Sequence, residues 1–322
     1  MFGLSFFREV QADLKKVEEE LFNAVTTDNP LLKEASLHLL HAGGKRLRPA
    51  FALLAAKFHD YSLQKLMPLA VALEMIHMAS LVHDDVIDQS MLRRGIPTVK
   101  ARWGDQISLN TGDYLFARSL ILISKYNNPR ISSVLAEVSV EMCQGEIQQI
   151  ATTYDIKQGL RDYYYRIKRK TALLISASCQ LGAVASGAPD DIIRGLKKYG
   201  YYLGMAFQIT DDVLDMVADE KSLGKPVGSD LQQGILTLPT ILALRQSQYS
   251  SQLNTILLNK EKDQNDILQA IELIKEAGSI EESLEIASKF IYKAKEQLKP
   301  LPHIPARKSL VYIADFVQSR NF

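Results

Sequence analysis

Residues 74–88 read Glu-Met-Ile-His-Met-Ala-Ser-Leu-Val-His-Asp-Asp-Val-Ile-Asp, an apolar stretch that ends in three aspartates. A second copy of the same acidic pattern, Asp-Asp-Val-Leu-Asp, occupies residues 211–215. Upstream of the first copy, mostly apolar residues recur at the 3.6-residue spacing that places them on one face of a helix. Its members are Leu66, Leu69, Ala70, Leu73, Ile76, His77, Ser80 and Leu81. We therefore predict that each aspartate motif lies on a helix that is packed against the rest of the protein.

Both motifs place carboxylates on one helical face. Residues four apart in a helix project together, about 6 Å apart along the axis. Asp84 is therefore expected beside Asp88, and Asp211 beside Asp215. Like charges at this spacing repel each other, and apolar neighbours raise the cost of bare charge. The pattern predicts a bound cation, and hard oxygen ligands in this number favour Mg²⁺.

The composition indicates an all-α protein. A chain of 322 residues is compatible with one large domain or two ordinary ones, and its 17 Gly and 11 Pro suit a mostly helical chain. Strand-like alternation is scarce, and we find no linker or low-complexity tract. Helical periodicity is widespread, and residues 250–300 read as amphipathic surface helices. We predict a single all-α domain over residues 1–322, a helical bundle in which both aspartate helices face a central cavity.

Several partners and compartments are disfavoured by the sequence. A net charge of +1 argues against a nucleic-acid partner. We identify no apolar run near the roughly 18 residues that span a membrane, so any membrane association is expected to be peripheral at most. The first residues lack the pattern of a signal peptide, and we expect a cytoplasmic protein. Cys143 and Cys179 are expected to be reduced, buried and structural.

Basic and polar groups accompany both motifs. The segment Gly-Gly-Lys-Arg-Leu-Arg-Pro (43–49) combines cations with a glycine-rich helix entry, which suits an anion. Arg93 and Arg94 follow the first motif, and arginine suits phosphate bidentately. His77 lies two helical turns before Asp84 on the same face, whereas His83 points away and reads as structural.

The second motif has a comparable set of neighbours. Arg169-Lys170-Thr171 precedes an apolar run, and we interpret it as the start of a helix whose cation and hydroxyl suit phosphate oxygens. Gln208 lies one turn before Asp211, and Lys225 follows the motif in a loop, where it could neutralise a leaving diphosphate. Each group alone also fits a solvated helix end or a surface ion pair. Together they predict a site for a substrate with a diphosphate head and a hydrocarbon tail.

These segments resemble the trans-isoprenyl diphosphate synthases over nearly the whole chain. The matching stretches are residues 43–49, 74–88, 93–98, 112–118, 169–172, 207–215 and 224–231. Within the family, the chain is similar to the large catalytic subunit, component 2, of the two-component heptaprenyl diphosphate synthases of Gram-positive bacteria. That resemblance implies a small partner, component 1, and hence a heterodimer, with a homodimer as the alternative. Ile235 stands where many relatives carry a second lysine, which also agrees with the component 2 subunits.

The resemblance implies a reaction and a set of site residues. An allylic, farnesyl-type diphosphate would ionise and be attacked by isopentenyl diphosphate, in successive rounds, to give a product of hexaprenyl to octaprenyl length for the menaquinone side chain. Magnesium would be held by Asp84, Asp88 and Asp211, together with Asp85, Asp212 and Asp215. Isopentenyl diphosphate would be bound by Lys45, Arg48, His77 and Arg94. The allylic diphosphate would be bound by Arg93, Lys170, Thr171, Gln208 and Lys225.

The length of the product also has a sequence correlate. The growing tail is expected to run back along the helix of the first motif. Short-chain relatives place an aromatic residue five positions before the first Asp, where this chain has Ala79, followed by Ser80. Ala72 lies two turns further up. Small side chains at these positions predict an open tunnel and a long product.

Three other classes of protein share part of this pattern. A terpene cyclase has one aspartate-rich motif, but its second metal motif normally mixes Asn, Ser or Thr with Glu. An HD-type phosphohydrolase could use His83 and Asp84, but it needs more histidines than lie near the motifs. A regulatory or lipid-carrying subunit is the third class, although such a protein would be free to lose the carboxylates. Within the family, a homodimeric polyprenyl or geranylgeranyl diphosphate synthase is the alternative. Magnesium-dependent diphosphate release would separate the enzymes from the carriers.

Overall fold

The fold is built almost entirely from α-helices. The computed structural model of the chain describes residues 5–217 and 227–319. Its helices are, in chain order, α1 (Gln11–Ala24), α2 (Pro30–His41), α3 (Leu47–Ala56), α4 (Leu63–Ile87), α5 (Val99–Ile123), α6 (Pro129–Ala151), α7 (Leu160–Ile167), α8 (Leu173–Ala185), α9 (Asp190–Val217), α10 (Ser229–Gln232), α11 (Leu238–Leu244), α12 (Ser247–Leu258), α13 (Gln264–Glu276), α14 (Ser279–Leu298) and α15 (Pro305–Gln318). A 3₁₀-helix, Ser5–Val10, precedes α1. The all-α prediction is confirmed.

The chain clusters into two compact units. The first contains the residues up to Ser139, Leu174–Gly200 and Gln297–Ile313. The second contains Val140–Leu173, Tyr201–Glu296 and the residues from Ala314 onward. The first aspartate motif belongs to the first unit and the second motif to the second unit. A single domain with a central cavity stays a prediction.

Helix α4 lies in the core of the first unit and carries the first aspartate motif. It begins after Ser62, whose side chain accepts a hydrogen bond from the backbone N–H of Lys65, and it ends at Ile87 with Asp88 as its C-cap. The residues of its predicted apolar face are buried, among them Leu66, Leu69, Leu73 and Ile76. The helix packs mainly against α5 and α3. The helix predicted from the 3.6-residue rhythm is confirmed.

Helix α4 also corrects one prediction from the sequence. By length and composition alone it could cross a membrane, so the statement that no segment approaches that length was wrong. The polar residues Glu74 and His77 interrupt the apolar run in the sequence, but they do not interrupt the helix. Of its most apolar window, 67% is buried inside the protein, as expected for a core helix.

A short hairpin follows α4. Strands β1 (Leu92–Arg93) and β2 (Ile96–Pro97) pair antiparallel, with Leu92 opposite Pro97 and Arg93 opposite Ile96. The two residues between them, Arg94 and Gly95, have φ values of 54° and 78°. Positive φ at both positions is the geometry of a type I′ turn, which matches the twist of paired strands. The hairpin was not predicted from the sequence.

The second unit contains a π-helical turn, Lys168–Ala172, that joins α7 to α8. Arg169-Lys170-Thr171 therefore does not open a helix, and that prediction was wrong. Two glycines on neighbouring helices allow the widened turn to pack closely. A Cβ added to Gly145 on α6 would lie 2.7 Å from the Cβ of Arg169, and one added to Gly204 on α9 would lie 2.6 Å from the Cα of Ala172.

The polar stretch near residues 250–300 folds as predicted into amphipathic helices. Their buried residues join one core cluster of the second unit, which includes Leu253, Ile267, Ile271 and Ala287. The cysteines behave differently from each other. Cys179 is buried, as predicted, but Cys143 is exposed on α6, so its predicted burial was wrong.

Candidate active site

The helix geometry places the three aspartates of the first motif in two different environments. Asp84 and Asp88 lie four residues apart near the end of α4, and both are partly exposed. Asp85 is rotated off their face and is only 1% exposed. Two carboxylates of this motif are thus accessible from solvent on one helical face, and the third is committed to the interior.

Asp85 is held by Arg93 of the hairpin. Nε and Nη2 of Arg93 donate to Oδ1 of Asp85 at 2.9 and 2.7 Å, and Nε also lies 3.1 Å from Oδ2. This contact is bidentate and charge-assisted, which makes it both strong and directional. It orients Arg93 and occupies the carboxylate that was also predicted as a metal ligand.

The glycine-rich segment converges on the turn of the same hairpin. Gly44 has a φ of 157°, and a Cβ added to it would lie 2.8 Å from Nη1 of Arg94. Lys45 is exposed and Arg48 is partly exposed, both beside the start of α3. The first unit therefore brings Gly44 of this segment next to Arg94, and the roles of Lys45 and Arg48 as substrate ligands stay predictions.

Arg46 has a role that sequence reasoning missed. It is 3% exposed, and its Nε and Nη2 donate to Glu18 at 2.6 and 2.8 Å while its Nη1 lies 3.1 Å from Oε1 of Glu74. Burial lowers the pKa of Arg46, but the hydrogen bonds and charges of Glu18 and Glu74 more than offset this and raise it overall. Arg46 is thus the buried structural cation of the segment. Its neighbours Lys45 and Arg48 are more exposed, and their role as substrate ligands stays a prediction.

His77 lies on α4 among these arginines. Burial lowers the pKa of His77 well below its ordinary value, and the charges of Arg48, Arg94, Arg93 and Arg46 lower it further. The imidazole is therefore neutral at physiological pH, with one ring nitrogen as donor and the other as acceptor. Burial likewise lowers the pKa of Arg94, with the charge of Arg46 contributing. A crowded group of like charges of this kind is the expected setting for an anion.

The second motif is sorted in the same way on α9. Asp211 is partly exposed, whereas Asp212 and Asp215 are only 5% and 2% exposed. Asp215 accepts hydrogen bonds from the hydroxyl of Ser229 at 2.8 Å and from the backbone N–H of Asp230 at 3.1 Å. It therefore anchors the first turn of α10. A carboxylate at a helix N-terminus is favourable there, since the N–H groups point toward it.

Asp212 is enclosed by donors. It accepts from the hydroxyl of Tyr163 at 2.7 Å and from the side-chain amide of Gln208 at 2.8 Å. Burial raises the pKa of Asp212 to about 6, although the bonds from Gln208 and Tyr163 and the charge of Arg166 act in the opposite direction. Burial and the adjacent Asp212 raise the pKa of Tyr163 well above its ordinary value, so this hydroxyl keeps its proton and donates it.

The π-helical turn presents the remaining predicted groups of the second unit. Nζ of Lys170 lies 2.9 Å from Oε2 of Glu146, and Thr171 donates to Oε1 of Gln208 at 2.5 Å. Arg169 points elsewhere, toward Glu141 and the ring of Tyr165. π-Helical turns are uncommon and occur often at functional sites, because the extra residue re-aims the side chains around it. Lys225 lies outside the described residues.

Three further predicted positions lie on α4. Ala72 and Ala79 are buried and Ser80 is partly exposed, with its hydroxyl donating to the carbonyl of His77 at 2.8 Å. Their role in product length stays a prediction. His83 contacts the carbonyl of Leu109 on α5, in keeping with the structural role expected for it.

The metal ligands also stay a prediction. Across residues 5–217 and 227–319, no group of three or more His, Cys, Asp or Glu side chains is gathered closely enough to hold a metal ion. The accessible carboxylates nevertheless fit Mg²⁺, which usually takes only one or two carboxylates and completes its shell with water and substrate phosphate. Asp85, Asp212 and Asp215 are each engaged by other groups of the protein.

An all-α fold with one sorted aspartate motif in each unit is characteristic of the isoprenyl diphosphate synthases. The chain belongs to the polyprenyl synthetase family, whose model matches residues 29–274. It is 50% identical over 310 residues to heptaprenyl diphosphate synthase component 2 of Bacillus subtilis (strain 168), an alignment that covers 96% of this chain and 88% of that protein.

Solved structures agree with this assignment. The heptaprenyl diphosphate synthase of Staphylococcus aureus is 38% identical, with a TM-score of 0.91 over 97% of this chain and 98% of the other. The polyprenyl synthase of Caulobacter crescentus CB15, in complex with calcium and isoprenyl diphosphate, is 34% identical, with a TM-score of 0.94 over 98% and 97% of the two chains.

Proposed function

We propose that this chain is the catalytic subunit of a heptaprenyl diphosphate synthase, a prenyltransferase that condenses isopentenyl diphosphate with an allylic diphosphate. The observation that carries the proposal is the sorting of the carboxylates. Asp84, Asp88 and Asp211 are accessible, while the other three aspartates of the motifs are buried against their own partners. A regulatory subunit or lipid carrier has no need to keep accessible carboxylates in both motifs.

Magnesium is the proposed metal, with Asp84 and Asp88 as the proposed ligands in the first unit and Asp211 in the second. Mg²⁺ bound there would neutralise the negative charge that develops on the departing diphosphate. The complex of the Caulobacter relative with calcium and isoprenyl diphosphate supports a divalent ion together with this class of substrate. The proposed cofactor can be tested by removing metal with a chelator and then adding Mg²⁺ back, with the rate of diphosphate release measured before and after the addition.

The side chains of the chain have two separate binding tasks in this proposal. Lys45, Arg48, His77 and Arg94 bind isopentenyl diphosphate, and the neutral His77 donates one hydrogen bond without adding a further cation. Arg93, Lys170, Thr171, Gln208 and Lys225 bind the allylic diphosphate. The allylic C–O bond breaks and diphosphate leaves with the electron pair. The double bond of isopentenyl diphosphate then forms the new C–C bond, and loss of one proton regenerates an allylic diphosphate.

The partner and the setting are also proposals. The relative at 50% identity is named component 2, which supports a two-component enzyme with a small component 1 as the second subunit. A homodimer is the alternative. We propose a cytoplasmic enzyme, at most peripherally attached to membrane, whose product serves as the menaquinone side chain. Small residues at Ala72, Ala79 and Ser80 are consistent with a long product.

Product analysis tests the proposal. Purified protein would be incubated with farnesyl diphosphate, isopentenyl diphosphate and Mg²⁺, with and without a candidate component 1, and the products sized by mass spectrometry. Heptaprenyl diphosphate formed only with the partner is the expected result. Long products from this chain alone would support a homodimeric synthase instead. Cyclised hydrocarbon would indicate a terpene cyclase, and absence of diphosphate release in both reactions would support a non-catalytic subunit.

A further inference from the structure

A continuous series of hydrogen bonds links Tyr163 to Thr171 in the second unit. The hydroxyl of Tyr163 donates to Oδ2 of Asp212 at 2.7 Å, and Nε2 of Gln208 donates to Oδ1 at 2.8 Å. Thr171 Oγ1 donates to Oε1 of Gln208 at 2.5 Å. Asp212 and Gln208 lie four residues apart on α9, so they share one helical face. The series therefore runs from α7 through α9 to the π-helical turn.

The chemistry of the groups gives this series one direction. A carboxylate only accepts hydrogen bonds, so Gln208 must turn its NH₂ group toward Asp212. Its carbonyl oxygen then faces Thr171, whose hydroxyl can donate to it. The reverse orientation would place the Gln208 carbonyl oxygen against the Asp212 carboxylate. The charge on Asp212 thus decides which end of Gln208 faces the π-helical turn.

Tyr163 is the fixed end of the series. Its side chain is fully buried, and the guanidinium of Arg166 lies 5.6 Å from its ring centre. Arg166 is itself held by the side-chain oxygen of Gln158 at 3.1 Å and by the backbone carbonyl of Leu236 at 2.5 Å. A tyrosine enclosed in this way cannot swing aside, so its hydroxyl holds Asp212 in one position.

Thr171 is the functional end. The hydrogen bond that it donates to Gln208 keeps its side chain in one rotamer on the π-helical turn, next to Lys170. Rotation about the Cβ–Oγ bond alone can redirect the hydroxyl hydrogen to a phosphate oxygen, with no movement of heavy atoms. That rotation exchanges the Gln208 carbonyl oxygen for a phosphate oxygen as the acceptor, and because the heavy atoms are already in place the exchange needs little reorganisation.

We propose that Tyr163 is a positioning residue for the allylic diphosphate, acting through Asp212 and Gln208 on Thr171. In this arrangement Asp212 serves as the central acceptor of the series and not as a metal ligand. The inference rests on the proposed function, because it assigns the allylic diphosphate to Thr171 and Gln208.

The test compares Tyr163→Phe with Tyr164→Phe. Both changes remove one hydroxyl from α7, but the half-buried Tyr164 packs at a tilt and edge-on against neighbouring rings and is not a member of the series, so its variant is the matched control. Tyr163→Phe should raise the KM for farnesyl diphosphate about tenfold, the usual effect of losing a hydrogen bond to a charged group, with the KM for isopentenyl diphosphate within about twofold of wild type. The double variant of Tyr163→Phe with Gln208→Met should be no worse than the more damaging single change, since both act in one series.

Opposite results would overturn the proposal. One such result is an unchanged KM for farnesyl diphosphate in Tyr163→Phe. Another is a similar rise in the KM for both substrates together with a loss of thermal stability. A third is a double variant whose rise in KM equals the product of the two single effects. If Tyr163→Phe does not fold, Asp212→Asn keeps the shape and removes the charge, and it should show the same KM split with an unchanged magnesium requirement. A raised magnesium requirement in Asp212→Asn would make Asp212 a metal ligand and overturn the proposal. An inactive wild-type protein, tested with its partner, would instead refute the proposed function.

Discussion

The carboxylate of Asp85 and the guanidinium of Arg93 form a bidentate pair eight residues apart, with Nη2 2.7 Å from Oδ1. The pair joins the buried side of the first aspartate motif to the hairpin that follows it. It also separates Asp85 from its neighbours Asp84 and Asp88, which are accessible. The motif therefore contains two kinds of aspartate, and mutations should tell them apart.

Asp85→Asn should weaken binding of the allylic diphosphate without changing the need for metal. The substitution removes the charge that holds Arg93, so the KM for the allylic substrate should rise about tenfold. Asp84→Asn should instead raise the half-saturating Mg²⁺ concentration by about tenfold or more, because it removes a proposed ligand. Diphosphate release measured across a magnesium series would show both effects. Equal shifts of the magnesium requirement in the two variants would contradict this division.

Arg46→Met and Lys45→Met, at adjacent positions, should affect different properties: the first stability, the second substrate binding. Arg46→Met leaves Glu74 as an uncompensated buried charge and should lower the free energy of unfolding by about 3 kcal/mol. Lys45→Met, at an exposed position, should change stability by less than about 0.5 kcal/mol while raising the KM for isopentenyl diphosphate. Urea unfolding and steady-state kinetics measure these quantities. Adding Glu74→Gln to Arg46→Met should recover part of the stability; if it does not, the buried charge is not the cause.

Stability below neutral pH should depend on His77. Because burial and the neighbouring arginines depress the pKa of His77 in the folded protein, the unfolded chain takes up a proton first. The contribution of His77 is complete above the unfolded pKa of about 6.5 and is lost as the pH falls toward the folded pKa. In that window, the wild type should lose up to about 1.4 kcal/mol more per pH unit than His77→Gln.

Urea unfolding at about pH 7.5, 6.5 and 5.5 would measure the slope of the free energy of unfolding against pH in the wild type and in His77→Gln. His303 is exposed, so His303→Gln is the matched control and should keep the wild-type slope. Identical slopes in wild type and His77→Gln would show that His77 is not held neutral.

Gly204→Ala should disturb the π-helical turn. The new Cβ would lie 2.6 Å from the Cα of Ala172, and a backbone atom cannot yield as a side chain can. We expect a loss of about 2 kcal/mol in the free energy of unfolding and a higher KM for the allylic diphosphate. Gly195→Ala on the same helix meets a leucine methyl at 3.1 Å and should cost less than about 1 kcal/mol. Comparable losses in the two variants would argue against a special role for the turn.

Ala79→Phe should shorten the product. Ala79 is buried on α4 five residues before Asp84, and an aromatic ring there would block a tail running back along the helix. Mass spectrometry of the products should show a shift toward shorter prenyl diphosphates, with Ala79→Val giving a smaller shift. An unchanged product distribution in Ala79→Phe would remove Ala79 from the tunnel.

Much of the helical structure was predictable because its causes are local. The rhythm of Leu66, Leu69 and Leu73 predicts α4. The same geometry predicts that Asp84 and Asp88 share a face. The prediction that no apolar run approaches membrane-spanning length was wrong for α4, because the polar residues Glu74 and His77 interrupt an apolar run without interrupting a helix.

Other features of the site were not predictable from local pattern. Arg169-Lys170-Thr171 reads like a helix start, but close packing against Gly145 and Gly204 accommodates a π-helical turn in a continuous helix. Cys143 was expected inside and lies outside, because its periodicity does not reveal which face of α6 is covered.

Residue types and short spacings therefore determined the helices, the acidic motifs and the family, because backbone geometry repeats every few residues. The tertiary structure decided which of those residues are accessible. Arg46 became structural because Glu18 and Glu74 meet it in the interior, and Asp212 became an internal acceptor because Tyr163, 49 positions away, reaches it. Partners that distant come together only when the core packs, and burial then determines which charges remain available to a ligand.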